Sequence, residues 1–204
     1  KVDQLSAGLL ALGIYKGDRV GIWSPNRPEW VLTQFATARI GAILVNINPA
    51  YRRTELEYAL AKVDAKALIT AVSFKTSNYL EMLQDLAPEL TSCRPGQLAA
   101  ARLPSLKSVI HMGDDEVEGM FRFKDIMAQG NAGQRARLDA IGRMLSVADA
   151  INLQFTSGTT GSPKAATLTH RNVVNNARFV ADCMRLDHKD QLCIPVPLYH
   201  CFGM

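Results

Sequence analysis

Asp18-Arg-Val-Gly-Ile-Trp-Ser24 and Ala42-Ile-Leu-Val-Asn46 are short apolar runs of strand length, and the residues between them change period. Pro28 stands where a first helical residue is favoured, Trp30, Val31, Gln34, Phe35 and Ala38 continue a helix, and Gly41 stops it. Upstream, Val2, Leu5, Leu9 and Leu12 recur at helical spacing before Gly13, a natural left-handed cap. Downstream, Thr54-Glu-Leu-Glu57 reads as a capping box in which a hydroxyl and a carboxylate satisfy free amides at a helix start. Leu56, Ala59, Leu60 and Val63 form the apolar stripe of that helix, and Lys66–Thr70 returns to strand. Helix and strand therefore alternate three times, with continuous apolar strands between amphipathic helices. That alternation predicts an α/β fold: a parallel sheet with helices on both faces.

Composition agrees and excludes several classes. The chain has 204 residues, 48% hydrophobic and 21% charged, with 23 Lys+Arg against 19 Asp+Glu for a net charge of +4. That apolar content excludes disorder, and 14 Gly with 9 Pro exclude a collagen-like repeat. Uncharged runs such as Ile40–Tyr51 and Ala150–Pro163 fall short of the roughly 18 to 20 apolar residues of a membrane span. So small a surplus of positive charge argues for neither nucleic acid nor an anionic membrane as a partner. Cys93, Cys183, Cys193 and Cys201 form no Cys-x-x-Cys pair, and His111, His170, His188 and His200 show no metal-ligand spacing. Reduced, mostly buried thiols in a cytoplasmic setting are expected, with the mitochondrial matrix as alternative. No oligomeric state is legible.

From Asp85 to Ser146 the periodicity weakens, and the expectation is a surface excursion with a short helix or two and a strand at Leu106–His111. Order returns at Ile151-Asn-Leu-Gln-Phe155, an alternating strand. A second strand at Ala166–Thr169, a helix from about Arg171 to Met184 and a strand at Gln191–Val196 follow. Asn26 and Glu29 are read as helix caps, Trp30 as core, and His170 as a helix-opening residue. The helical pattern already under way at Lys1 and the unclosed run ending at Met204 suggest a piece of a longer protein.

Between the first two of these strands lies Thr156-Ser-Gly-Thr-Thr-Gly-Ser-Pro-Lys164. Its glycines let backbone amides turn toward an anion, its hydroxyls donate further hydrogen bonds, and Lys164 supplies a mobile positive charge. A flexible Ser/Gly linker shares that composition, but direct flanking by strands and closure by a lysine favour a polyphosphate loop. It is not a Walker A loop, a dinucleotide fingerprint or a Gly-x-Ser-x-Gly elbow.

The loop resembles the phosphate-binding loop of the adenylate-forming superfamily: acyl-CoA synthetases, luciferases and peptide-synthetase adenylation domains. Gly17–Trp30, Gly41–Pro49 and Pro197-Leu-Tyr-His-Cys-Phe-Gly203 resemble that family in the same order. Asn48-Pro-Ala-Tyr51, Leu56-Glu-Tyr58 and Ile151–Phe155 are most similar to its medium-chain acyl-CoA synthetase branch. The resemblance implies that residues 1–204 are an incomplete N-terminal, larger domain of that fold, with the rest of it and a C-terminal domain outside the chain. It implies a fatty acid, ATP and CoA as small-molecule partners and Mg2+ carried with ATP. The carboxylate attacks the α-phosphate, releasing pyrophosphate, and the CoA thiol then displaces AMP. Thr156, Ser157, Gly158, Thr159, Thr160, Gly161, Ser162, Pro163 and Lys164 match the loop that holds the β- and γ-phosphates. Lys164 and His200 are the catalytic candidates, with His200 at the mouth of the acyl pocket and Thr156 as a contact to magnesium through ATP. An amino-acid or aryl-acid adenylating enzyme serving a carrier protein, and a non-catalytic nucleotide-binding module, are the alternatives. The family usually has Gly after the loop lysine; this chain has Ala165, expected to have negative φ.

Overall fold

The computed structural model describes residues 1–156 and 163–203. The elements run α1 (Val2–Ala11), β1 (Arg19–Trp23), α2 (Pro28–Ile40), β2 (Ile43–Ile47), α3 (Arg53–Lys62) and β3 (Ala67–Thr70). The alternation expected over the first 70 residues is therefore present. A two-residue hairpin, β4 (Ser73–Phe74) and β5 (Ser77–Asn78), leads to α4 (Tyr79–Leu86) and a 3-10 turn at Pro88–Thr91. Then come β6 (Ser108–His111), β7 (Met120–Arg122), α5 (Phe123–Gln129), α6 (Ala132–Met144), β8 (Ala150–Thr156), β9 (Lys164–Thr169) and α7 (His170–Met184).

Seven strands form one sheet in the order β7-β6-β3-β1-β2-β8-β9. All pairings are parallel except β8–β9, which is antiparallel. The all-parallel expectation thus needs one correction, because too few residues separate β8 from β9 for a crossover and only an antiparallel return fits. Alternate side chains feed two cores. Val20, Ala67, Ile69 and Ile110 meet Leu5, Leu9, Ala36, Phe123 and Leu138 from α1, α2, α5 and α6. Trp23, Leu68 and Val109 meet Leu56, Leu60, Tyr79 and Leu83 from α3 and α4 on the other face. The indole of Trp23 stacks on the Tyr79 ring at 3.5 Å between centroids, and the Tyr79 hydroxyl donates to the carbonyl of Pro49. Trp30 is core, as expected.

Four further expectations change. The α3 box lies two residues earlier than read: Glu55, not Glu57, accepts from the Arg52 N–H at 3.1 Å, because it sits three residues beyond the residue that flanks the helix. Residues 85–146 are no mere excursion, since β6 and β7 extend the sheet and Phe123, Ile126 and Leu138 complete a core. Periodicity failed there because α6 buries only Leu138, and its start is signalled instead by Asn131 and Gln134 exchanging side-chain and backbone hydrogen bonds. Gln191–Val196 forms no strand; Pro195 lacks a ladder donor, and Leu192 and Ile194 lie exposed beside no described strand. The thiols are free, but Cys183, Cys193 and Cys201 are exposed rather than buried.

Two glycines are required by the backbone. Gly41 ends α2 at φ 73°, in the left-handed region that lets the chain turn into β2. Gly8 lets α1 meet α5: a Cβ there would sit 1.9 Å from the backbone oxygen of Ile126. Gly8→Ala is expected to lower stability by about 1–3 kcal/mol through overpacking, read as a reduced urea midpoint at unchanged slope.

Candidate functional site

Strand β1 is paired on both edges, by β2 and by β3, and the winding of the sheet reverses around it. Open α/β sheets bind ligands beyond the carboxyl ends of their strands at such a reversal. The polar groups gathered there come from the Ser24–Asn26 turn, the end of β2, the paired ends of β8 and β9 at Thr156 and Lys164, and the 196–203 segment.

Thr156 and Lys164 are register partners that close the β8–β9 hairpin, and the Thr156 hydroxyl donates to the Lys164 carbonyl at 3.3 Å. Lys164 is exposed. Pro163 is tied from outside the hairpin, its carbonyl accepting from the Tyr58 hydroxyl of α3 at 3.1 Å. Ser157, Gly158, Thr159, Thr160, Gly161 and Ser162 lie outside the described residues. At the base of β8, buried Asn46 donates to Asn152 at 3.1 Å and links β2 to the hairpin.

Ala165 pairs with Phe155 and is half-buried against the α3 and α4 core. Among the described non-glycine residues only Asp64, Lys75 and Arg185 have positive φ, so Ala165 occupies ordinary extended backbone.

His200 stands on a tight turn: its N–H donates to the Pro197 carbonyl at 3.1 Å, and its own carbonyl accepts from Gly203 at 2.8 Å. The Phe202 N–H donates to His200 Nδ1 at 3.2 Å. With Nδ1 accepting, a neutral ring carries its proton on Nε2, which makes that nitrogen the donor toward an incoming oxygen. Leu198 and Tyr199 pack on the buried Ile22, Trp30 and Leu44, seating the segment over the ends of β1 and β2. Tyr51 is partly buried against the core that holds Trp23, Leu56 and Tyr79. Burial raises its phenol above the ordinary tyrosine range, with smaller contributions from Glu55, Tyr199 and Tyr58.

Asn26 does not cap α2. It lies one residue before the flanking Arg27, and no side chain bonds the helix start. Its amide reaches across to Val196 and Leu198 instead. With Pro28 as the first helical residue, the spacing itself puts Asn26 one position too early to cap; that signal was in the sequence. Glu29 forms a two-bond ion pair with Arg27, which lowers its carboxyl from the ordinary range. Tyr58 stood in the sequence within Leu56-Glu-Tyr58, a stretch noted for its family resemblance, but nothing there singled it out as a contact to Pro163. His170 opens α7, as expected, with Thr169 capping.

Sheet, winding reversal and hairpin together define an α/β protein whose polar groups converge at the carboxyl rim of its strands. The sequence profile of the AMP-binding enzyme family matches residues 1–204, and the chain belongs to that family. It is 48% identical over 206 residues to the mitochondrial medium-chain acyl-CoA ligase ACSF2 of Danio rerio, covering 99% of this chain and 34% of that protein. It is 45% identical to the putative acyl-CoA synthetase YngI of Bacillus subtilis, covering 98% of this chain and 36% of that protein. A long-chain-fatty-acid-CoA ligase, FadD1, from Archaeoglobus fulgidus superposes with a TM-score of 0.72 at 25% identity, over 98% of this chain and 34% of that one. The chain thus spans about a third of the length of the curated relatives it matches.

Because Ala165 already has extended geometry, Ala165→Gly is expected to leave the fold intact and lower stability by about 0.4–1 kcal/mol through the unfolded chain. Thermal unfolding of the two forms measures this; a clear gain in stability with Gly would contradict it.

Proposed function

We propose that the full-length protein is an ATP-dependent acyl-CoA ligase acting on a medium-chain fatty acid, of which residues 1–204 form an incomplete N-terminal domain. The observation that carries this reading is the hairpin. Thr156 and Lys164 are locked as partners at the mouth of the Ser/Thr/Gly-rich connection, so the lysine charge stands at its exit. Relatives named medium-chain acyl-CoA ligases support the choice of acid. They are also named mitochondrial, which agrees with the mitochondrial alternative to a cytoplasmic location. The described residues contain no helix long and apolar enough to cross a membrane.

In this reading residues 156–164 hold the β- and γ-phosphates and stabilise the departing pyrophosphate, the largest share of catalysis in such transfers. His200 donates from Nε2 to the acid's carboxylate as it attacks the α-phosphate; CoA thiol then displaces AMP. Thr156 would offer magnesium its hydroxyl oxygen, whose hydrogen is donated to the Lys164 carbonyl. Among the described residues no three His, Cys, Asp or Glu side chains gather as a metal site. A single hydroxyl donor at Thr156 fits an ion held mainly by the triphosphate, where it would neutralise phosphate charge. Contacts to adenine and ribose, and a further catalytic lysine, are assigned to the remainder of the protein, so residues 1–204 alone are expected to form no acyl-CoA.

Incubating the full-length protein with ATP, CoA and a panel of acids tests the reading. Thioester formation peaking at medium chain length supports it; exchange of pyrophosphate only with amino acids or aryl acids, or no turnover, overturns it. Lys164→Ala is expected to change stability by no more than about 0.5 kcal/mol, since the side chain is exposed. The same change should lower kcat/KM for ATP by at least about tenfold.

A further inference from the structure

The 196–203 segment has no strand to join and no helix of its own, yet it carries His200. Leu198 and Tyr199 pack it on Ile22, Trp30 and Leu44, and one side chain ties its backbone down. Asn26 Nδ2 donates to the Val196 carbonyl at 2.9 Å, and Asn26 Oδ1 accepts from the Leu198 N–H at 2.7 Å. The amide therefore brackets Pro197 as a neighbouring strand would, taking the two backbone groups on either side of a residue that has no N–H. Pro197 in turn accepts from the His200 N–H at 3.1 Å. A chain of two hydrogen-bonded steps thus runs from the turn after β1 to the backbone of His200.

The chemistry selects the residue type. One atom must donate to a carbonyl while its neighbour across the same planar group accepts from an N–H, and a carboxamide does both whatever the pH. Aspartate would set a second oxygen against the Val196 carbonyl, and an aliphatic side chain would leave both backbone groups to water. Asn26 is itself exposed, and no bond ties its side chain to the start of α2.

We propose that Asn26 is a positioning residue for His200, holding the 196–203 turn in the register that aims Nε2 at the reacting carboxylate. The proposal rests on the ligase reading for its kinetic arm and on geometry alone for its structural arm. A shift of about 1 Å in a reacting group can cost on the order of 100-fold in rate.

The test compares Asn26→Ala, Asn26→Asp, His200→Ala and the Asn26→Ala/His200→Ala double variant in the full-length protein. Hydrogen–deuterium exchange over residues 196–203 is expected to rise in both Asn26 variants, with β1 and β3 unchanged. Acyl-adenylate formation is expected to fall about tenfold or more in kcat, with KM for ATP changed less than about twofold. The double variant is expected to lose no more than His200→Ala alone, because Asn26 acts through that ring. Unchanged exchange, wild-type kcat in the Asn26 variants, or losses that add in the double variant would each overturn the proposal. Should Asn26→Ala fail to fold, Asn26→Asp decides by the same readings. If the unaltered protein activates no acid, the ligase reading fails, and exchange still decides whether Asn26 holds the turn.

Discussion

A strand hydrogen-bonded on both edges and covered on both faces can offer chemistry only where it ends. Strand β1 is in that position, with β2 and β3 on its edges, one helical layer packed over Val20 and the other over Trp23. Burying apolar side chains on both sides at about 25 cal/mol per Å2 is what stabilises the sheet, and it makes unpaired polar groups along the strand costly. Reactive side chains are thereby pushed to the rims, and the two rims differ.

At the amino rim the polar contacts are ties between neighbouring elements. Arg19 donates to the carbonyls of Val63 and Asp64, Lys66 bridges Gly13 and Asp18, and Lys16 pairs with Asp149. Each joins the start of one strand to an adjacent turn, and partly exposed pairs of this kind contribute little individually. At the carboxyl rim the contacts reach from one element to another: Asn26 to the 196–198 backbone and Tyr58 to Pro163. Those bonds hold segments that the sheet itself does not contain, which is what a ligand site at a strand end requires.

The difference between the legible and illegible parts of the sequence follows the same physics. Strands β1, β2 and β3 announced themselves because both faces are buried, so their apolar runs are continuous. Helix α2 was bounded by Pro28 and Gly41, residues whose backbone preferences act locally. Strand β7 and helix α6 were hidden because each buries so little: α6 turns only Leu138 fully inward. The apolar run at 191–196 misled in the opposite way, since hydrophobicity describes a strand only when a partner ladder exists. Within the site, loop composition identified Thr156 and Lys164 because glycine, hydroxyl and lysine carry their chemistry locally. Asn26 and Tyr58 act over 170 and 105 positions of sequence, and no local pattern encodes such a reach.

The pairing of β9 with β8 has one more consequence. Lys164 faces outward and Ala165 inward because neighbours on a strand take opposite sides, so the two orientations are one parity choice rather than two. A single-residue insertion or deletion inside β9 would invert that parity, sending the charge toward Phe155 and the core and the methyl toward water. Length changes during descent are therefore constrained differently on either side of Lys164. On its far side every added residue must be matched by a second, or the cation leaves the face where it stands.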